Sequence, residues 1–184
     1  MISRKYTKDY KVEYVENSKG KLRAVATYCG EYYKFDSNDI ELKKNKKKFI
    51  LFSVVTFVTL MSSLCFNSLA AHTIYVSLPH VICLFPMSFQ LISAYNLCVL
   101  KTPYTREQND KTVNRQKGSS LIMMIFTTIA FSMQIVNWLI NSSSMILPND
   151  IIYTCLMAIT TVFACLTFLL RNSFSTVVCS LETY

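Results

Sequence analysis

The sequence predicts an all-α integral membrane protein: an antiparallel four-transmembrane-helix bundle with a small N-terminal cytoplasmic β-meander. Three observations predict it. Hydrophobic residues make up 52% of the 184 residues, yet 19 Lys and Arg are present, so charge is segregated rather than spread. Four uncharged apolar stretches are each long enough to cross a bilayer, for which a helix needs about 20 residues. The basic residues fall only in alternate connections.

The four spans are read as 49–71, 74–100, 120–140 and 151–170. None contains Asp, Glu, Lys or Arg. Lipid cannot hydrogen-bond a bare backbone, so uncharged spans of this length are helices. Spanning strands would be about half as long and would alternate. The second span holds Pro79 and Pro86, seven residues apart and hence on one face, where proline frees backbone carbonyls and kinks a helix.

Orientation follows from Lys and Arg in short loops. The segment 1–48 ends in Lys43, Lys44, Lys46, Lys47 and Lys48, against the first span. The loop 101–119 carries Lys101, Arg106, Lys111, Arg115 and Lys117, and Arg171 opens the tail 171–184. The connections around His72 and Asn141–Asp150 carry no Lys or Arg. Both termini and the loop 101–119 are therefore expected in the cytoplasm. Trp138, Tyr75 and Tyr153 stand at the opposite ends of their spans, where an outer aromatic belt belongs. The 48 residues before the first span argue against a cleavable signal. The +8 net charge is read as topology signal plus attraction to anionic headgroups at the cytoplasmic face, not as nucleic-acid binding.

Residues 9–35 read as three antiparallel strands, Tyr10–Val15, Leu22–Tyr28 and Glu31–Phe35, with turns at Asn17–Lys21 and Cys29-Gly30. A basic juxtamembrane helix over 38–48, capped by Ser37 or Asn38, leads into the first span. Residues 105–115 read either as a short surface helix or as a cytoplasmic extension of the third span.

Each span carries a stripe of small or polar residues at helical spacing. The stripes are Ser53, Thr56, Ser63, Asn67 and Ala70; His80, Cys83, Gln90 and Ala94; Ser120, Thr127, Ala130, Gln134 and Asn137; and Thr154, Ala158, Thr161 and Cys165. Facing stripes make an interior joined by side-chain hydrogen bonds. Ser63, Gln90, Thr127 and Thr161 are the candidates for that seam, or for a pore lining. Asn67, His80, Gln134 and Asn137 lie near the outer ends and are the candidates for one outward polar pocket. Lys43, Lys44, Lys46, Lys47, Lys48 and Arg115 are the candidate contacts to lipid headgroups or a partner.

Chemistry is thin. No carboxylate or amine lies within a span, where coupled transporters and voltage sensors use them. Walker, H-E-x-x-H and G-x-S-x-G motifs are absent. Seven cysteines form no C-x-x-C pair, and two histidines are too few for a histidine-cluster metal site. Cys65 and Cys155 share the outer half and are the candidates for an intramembrane thiol enzyme. Asn141-Ser142-Ser143 fits a glycosylation triplet beside the membrane. The expectation is a non-enzymatic protein without cofactor. It would act by association, as a homo-oligomer or in a hetero-complex, through its basic face. The alternative is an oligomeric channel or facilitator lined by Ser, Thr, Asn and Gln.

Overall fold

The computed structural model describes residues 4–16, 22–141 and 147–179. The turn at 17–21, most of the triplet at 141–143 and the end of the tail lie outside them. The chain is mostly helical, and four helical segments are long and apolar enough to cross a membrane: Asp39–Leu64, Ile74–Val99, Arg106–Ile140 and Pro148–Ser173. Only 28–39% of the apolar window of each is buried within the chain, so most of the apolar surface faces outward. Helices hydrophobic all round need an apolar environment on every side.

Helix α1 (Asp39–Leu64) carries the lysine run in its first turns. It follows Asn38, which is extended but makes no capping side-chain bond. The helix ends at Leu64 rather than 71. A single turn, α2 (Leu69–His72), follows, with the Ser68 hydroxyl accepting from the Ala71 N–H at 3.1 Å. The second span is two helices, α3 (Ile74–Ile82) and α4 (Leu84–Val99). They meet at Cys83, whose N–H bonds Pro79 O and His80 O. Pro86, lacking an N–H, cannot close the next turn across this joint.

The third span begins well before its apolar part. Thr105 and Gln108 form a reciprocal capping box, two backbone donors satisfied at once. A continuous helical run follows, as α5 (Arg106–Asn109), a π-turn at Asp110–Asn114 and α6 (Arg115–Ile140). Residues 105–115 thus extend the span instead of lying separately on a surface. Helix α7 (Leu147–Leu170) closes the bundle.

The helices alternate in direction and form a closed square. Helix α1 packs on α7 and α4, and α6 packs on α7, α3 and α4. The N-terminal segment, the 101–119 connection and the tail meet at one end, here called the basic end. Short connections occupy the other.

The expected three-stranded meander does not form. Strands β1 (Tyr10–Glu16) and β2 (Leu22–Tyr28) pair as an antiparallel hairpin, Tyr10 opposite Tyr28 and Glu16 opposite Leu22. Strand β3 (Tyr32–Phe35) leaves them and becomes the centre of a second sheet, between β4 (Tyr104–Thr105) and β5 (Thr176–Cys179). Phe35, Tyr104 and Phe174 are buried there with Leu42, Phe49, Leu97 and Val113. Burial of those rings against the helix ends supplies what a third hairpin strand would not, because a hairpin alone buries little. This sheet ties together three segments far apart in sequence.

Candidate functional site

The bundle interior holds the polar seam. His80 is fully buried on α3 and reaches two other spans. Its Nε2 lies 3.0 Å from Ser63 Oγ on α1, and its Nδ1 lies 2.8 Å from the Tyr153 hydroxyl on α7. The directions follow from the donor count. Ser63 gives its one proton to Leu60 O at 2.7 Å, so its oxygen accepts from Nε2–H. Nδ1 is then bare and accepts from Tyr153. All three groups are satisfied, as low-dielectric burial demands.

The other seam contacts repeat this on adjacent helix pairs. Gln90 Nε2 donates to Ser53 Oγ at 3.1 Å, Thr160 Oγ1 to Thr59 Oγ1 at 2.8 Å, and Thr161 Oγ1 to Thr127 O at 3.3 Å. Thr127 also bonds its own helix at Met123 O. The gap between His80, Thr127 and Thr160 has no room for a water molecule.

Of the candidate pocket residues, His80, Gln134 and Asn137 are buried and Asn67 is exposed. No hydrogen bond joins any two of the four among the described residues. Gln134 Nε2 donates to Thr154 Oγ1 at 2.9 Å, which also accepts from Trp138 Nε1 at 3.0 Å. Asn137 Oδ1 accepts from the Tyr75 hydroxyl at 2.9 Å and from Asn141 Nδ2 at 2.8 Å. Asn67 bonds His72 Nε2 at 2.8 Å, and its carbonyl accepts from Asn149 Nδ2 at 2.9 Å. It leaves the stripe because α1 ends three residues before it, breaking the helical phase.

On α7 the inward stripe is displaced by one residue. Thr154, Ala158, Thr161 and Cys165 are half-buried, whereas Tyr153, Met157, Thr160, Ala164 and Thr167 are buried. A rule that puts small residues inside misses this, because the interior is wide enough at His80 for a tyrosine ring. Cys65 and Cys155 are both exposed and free. Among the described residues no group of three His, Cys, Asp or Glu is placed to hold a metal ion.

The basic end holds the second candidate. The hairpin base is anchored by the Arg106 N–H donating to the Tyr28 hydroxyl at 3.1 Å, which itself donates to Glu31 O at 2.8 Å. Ahead of β1, Lys5 Nζ and the Tyr6 hydroxyl reach Asp110 at 2.6 and 2.9 Å. Burial raises the Asp110 pKa, but hydrogen bonds from Lys5, Tyr6 and Asn114 and the Lys5 charge outweigh it and hold the carboxyl below its ordinary value. Burial pushes the Tyr104 hydroxyl far up, and the Cys179 thiol adds to the shift.

Above its base the hairpin is exposed throughout. Its register gives it two unlike faces. Tyr10, Val12 and Tyr14 stand opposite Tyr28, Ala26 and Ala24 on one face, while Lys11, Glu13 and Val15 stand opposite Thr27, Val25 and Arg23 on the other. Tyr14 and Leu22 are each 72% exposed.

Of the candidate lysines, Lys43, Lys44, Lys47 and Lys48 are exposed. Lys46 is half-buried with its ammonium 5.1 Å from the Phe35 ring centroid, which pins β3 to α1. The Arg115 guanidinium lies 5.7 Å from the Phe89 ring centroid, between α6 and α4.

No family model matches the chain, and neither the curated proteins nor the solved structures contain a match to it.

Proposed function

We propose that the bundle crosses a membrane with its basic end in the cytoplasm, and that the protein works by association: a non-enzymatic subunit or scaffold whose β1–β2 hairpin docks a protein partner. Retention of Lys and Arg on the cytoplasmic side supports the orientation, since every Lys and Arg among the described residues lies in a segment at one end of the bundle. One observation carries the docking reading. The hairpin is held firmly at its base, yet it presents Val12, Tyr14 and Leu22 to solvent. A two-stranded hairpin is marginal alone, and an exposed apolar patch marks an interaction site.

The experiment is photo-crosslinking in native membranes from a probe placed at Tyr14, with a second probe at Thr27 on the opposite face. A protein product of defined stoichiometry from position 14, weak or missing from 27, supports docking, and its mass separates a second copy from a different chain. Crosslinks to lipid alone from both positions sink the reading.

The channel alternative has less support. Its candidate lining, Ser63, Gln90, Thr127 and Thr161, is engaged in helix–helix and same-helix hydrogen bonds, with no water-sized space beside His80. It would need a rearranged interior or a pore between protomers.

A further inference from the structure

A groove of about 460 Å³ opens on the outside of the bundle where α4 ends at the basic end. Its walls are of two kinds. Tyr95, Val99, Leu100 and Pro103 are apolar, and Lys101, Lys111, Asn96 and Gln108 are polar. Lys101 forms no ion pair among the described residues, while Lys111 pairs with Glu107 one turn before it. With that carboxylate counted, the groove retains one net positive charge. Gln108 accepts from the Thr105 N–H through its carbonyl oxygen, which leaves its amide nitrogen as a donor.

A second, independent feature leads into this groove. Phe85, Ser88, Ile92, Tyr95 and Val99 recur at three- and four-residue spacing along α4, and all are exposed. The fourteen rises from Phe85 to Val99, at about 1.5 Å each, give a stripe of roughly 21 Å. That exceeds the roughly 15 Å of one hydrocarbon leaflet. Arg115, over the Phe89 ring, adds a positive charge beside the stripe. The apolar track from Phe85 to Val99 thus leads into Lys101, in the order in which a bilayer changes from acyl chain to headgroup.

We propose that this groove binds one anionic phospholipid, its phosphate between Lys101 and Lys111 and an acyl chain along Phe85, Ile92 and Val99. The arrangement suits a phosphodiester carrying one negative charge, which neutralises the net charge of the groove. Gln108 and Asn96 add amide donors for headgroup oxygens. A choline headgroup brings its own cation toward the two lysines, so a zwitterionic lipid is disfavoured. The site rests on the proposed membrane crossing and does not depend on whether the hairpin docks a partner.

The test is native mass spectrometry of the full chain in mild detergent, titrated separately with phosphatidylglycerol and phosphatidylcholine. The expected result is one retained phosphatidylglycerol. Its retention should fall about five- to tenfold in K101A/K111A, because each cation near an anionic surface contributes about fivefold on its own and Lys111 is shared with Glu107. Retention should persist in K101R/K111R, and in K8A/K34A, which removes two exposed charges elsewhere on the same end. Equal retention of the two lipids, or wild-type retention in K101A/K111A, overturns the proposal. Displacement by glycerol phosphate at similar concentration also overturns it, and assigns the site to a soluble phosphate compound. Alkaline carbonate extraction of membranes separates the two failures. Release of the chain refutes the membrane crossing itself, whereas a retained chain without lipid preference refutes only this site.

Discussion

His80 on α3 and Tyr153 on α7 lie across the diagonal of the helix square, joined by a 2.8 Å hydrogen bond from the tyrosine hydroxyl to Nδ1. With Ser63 on α1 completing the chain, three of the four spans are fixed at one depth. Tyr153→Phe should therefore destabilise the bundle by about 0.6 kcal/mol and by no more than about 1.7 kcal/mol, the average and the maximum found for hydrogen bonds between membrane helices. His80→Leu should cost at least as much, and the two changes together less than their sum. Reversible unfolding in bicelles, read as a double-mutant cycle, checks this. Full additivity would show that the two side chains are not coupled.

Phe174 is fully buried and meets Phe35 and Phe49 edge-on, at centroid distances of 6.4 and 5.9 Å. It is the point where the tail locks the second sheet onto α1. Phe174→Ala should cost about 3–5 kcal/mol locally. Hydrogen exchange should rise in residues 32–35 and 176–179 while the four spans stay protected. Unchanged exchange there would mean that β5 is held without the ring.

The glycines make a contrasting pair. A Cβ on Gly30 would lie 2.7 Å from the Tyr28 hydroxyl and 3.0 Å from Asp9 Cβ, whereas one on Gly118 meets nothing within 4 Å. Gly30→Ala should displace the Tyr28 ring and break its bonds to Arg106 and Glu31, loosening the hairpin base. Gly118→Ala, within α6, should stabilise the helix by about 0.5–1 kcal/mol. Proteolysis at the hairpin and thermal denaturation of the bundle report the two effects separately.

Asp110 has a depressed pKa in the folded chain. A depressed carboxylate contributes stability that is complete above its unfolded value, about pH 4, and lost as pH falls through the lower native value. The tether of residues 4–9 to the π-turn should thus hold at neutral pH and loosen only in acid below about pH 4. Exchange of the amides in 4–9 against pH is the measurement. In Asp110→Asn the acid-dependent step should vanish, with the segment already loosened at pH 7.

Gln116 is fully buried near the start of α6, and neither of its amide atoms has a hydrogen-bond partner among the described residues. Two buried polar atoms without a hydrogen-bond partner are a cost. Gln116→Leu, of similar length, should be neutral or stabilising in thermal denaturation. A loss above about 1 kcal/mol would show that the amide serves a partner, such as an ordered water.

The sequence by itself determined the number and the core of the four long apolar helices, because an uncharged apolar segment of this length satisfies its own backbone only as a helix wherever water is excluded. It also determined which ends carry the basic charge. On three spans the inward stripe was legible, since polar and small side chains there have nowhere else to satisfy themselves: Ser53, Thr56 and Ser63, then His80 and Gln90, then Thr127, Gln134 and Asn137 are all buried. What only the tertiary structure decided depends on partners remote in sequence. Strand β3 pairs with Tyr104–Thr105 and Thr176–Cys179 instead of the adjacent hairpin, because there Phe35 joins the buried cluster of Tyr104, Phe49 and Phe174. The α7 stripe is shifted by one residue because Tyr153 fits across to His80, a complementarity that no periodicity within one helix encodes. Asn67 falls outside the interior because α1 stops at Leu64, three residues before it. Local hydropathy sets which segments are helices; the matching of shapes and donors between helices sets which face each one turns inward.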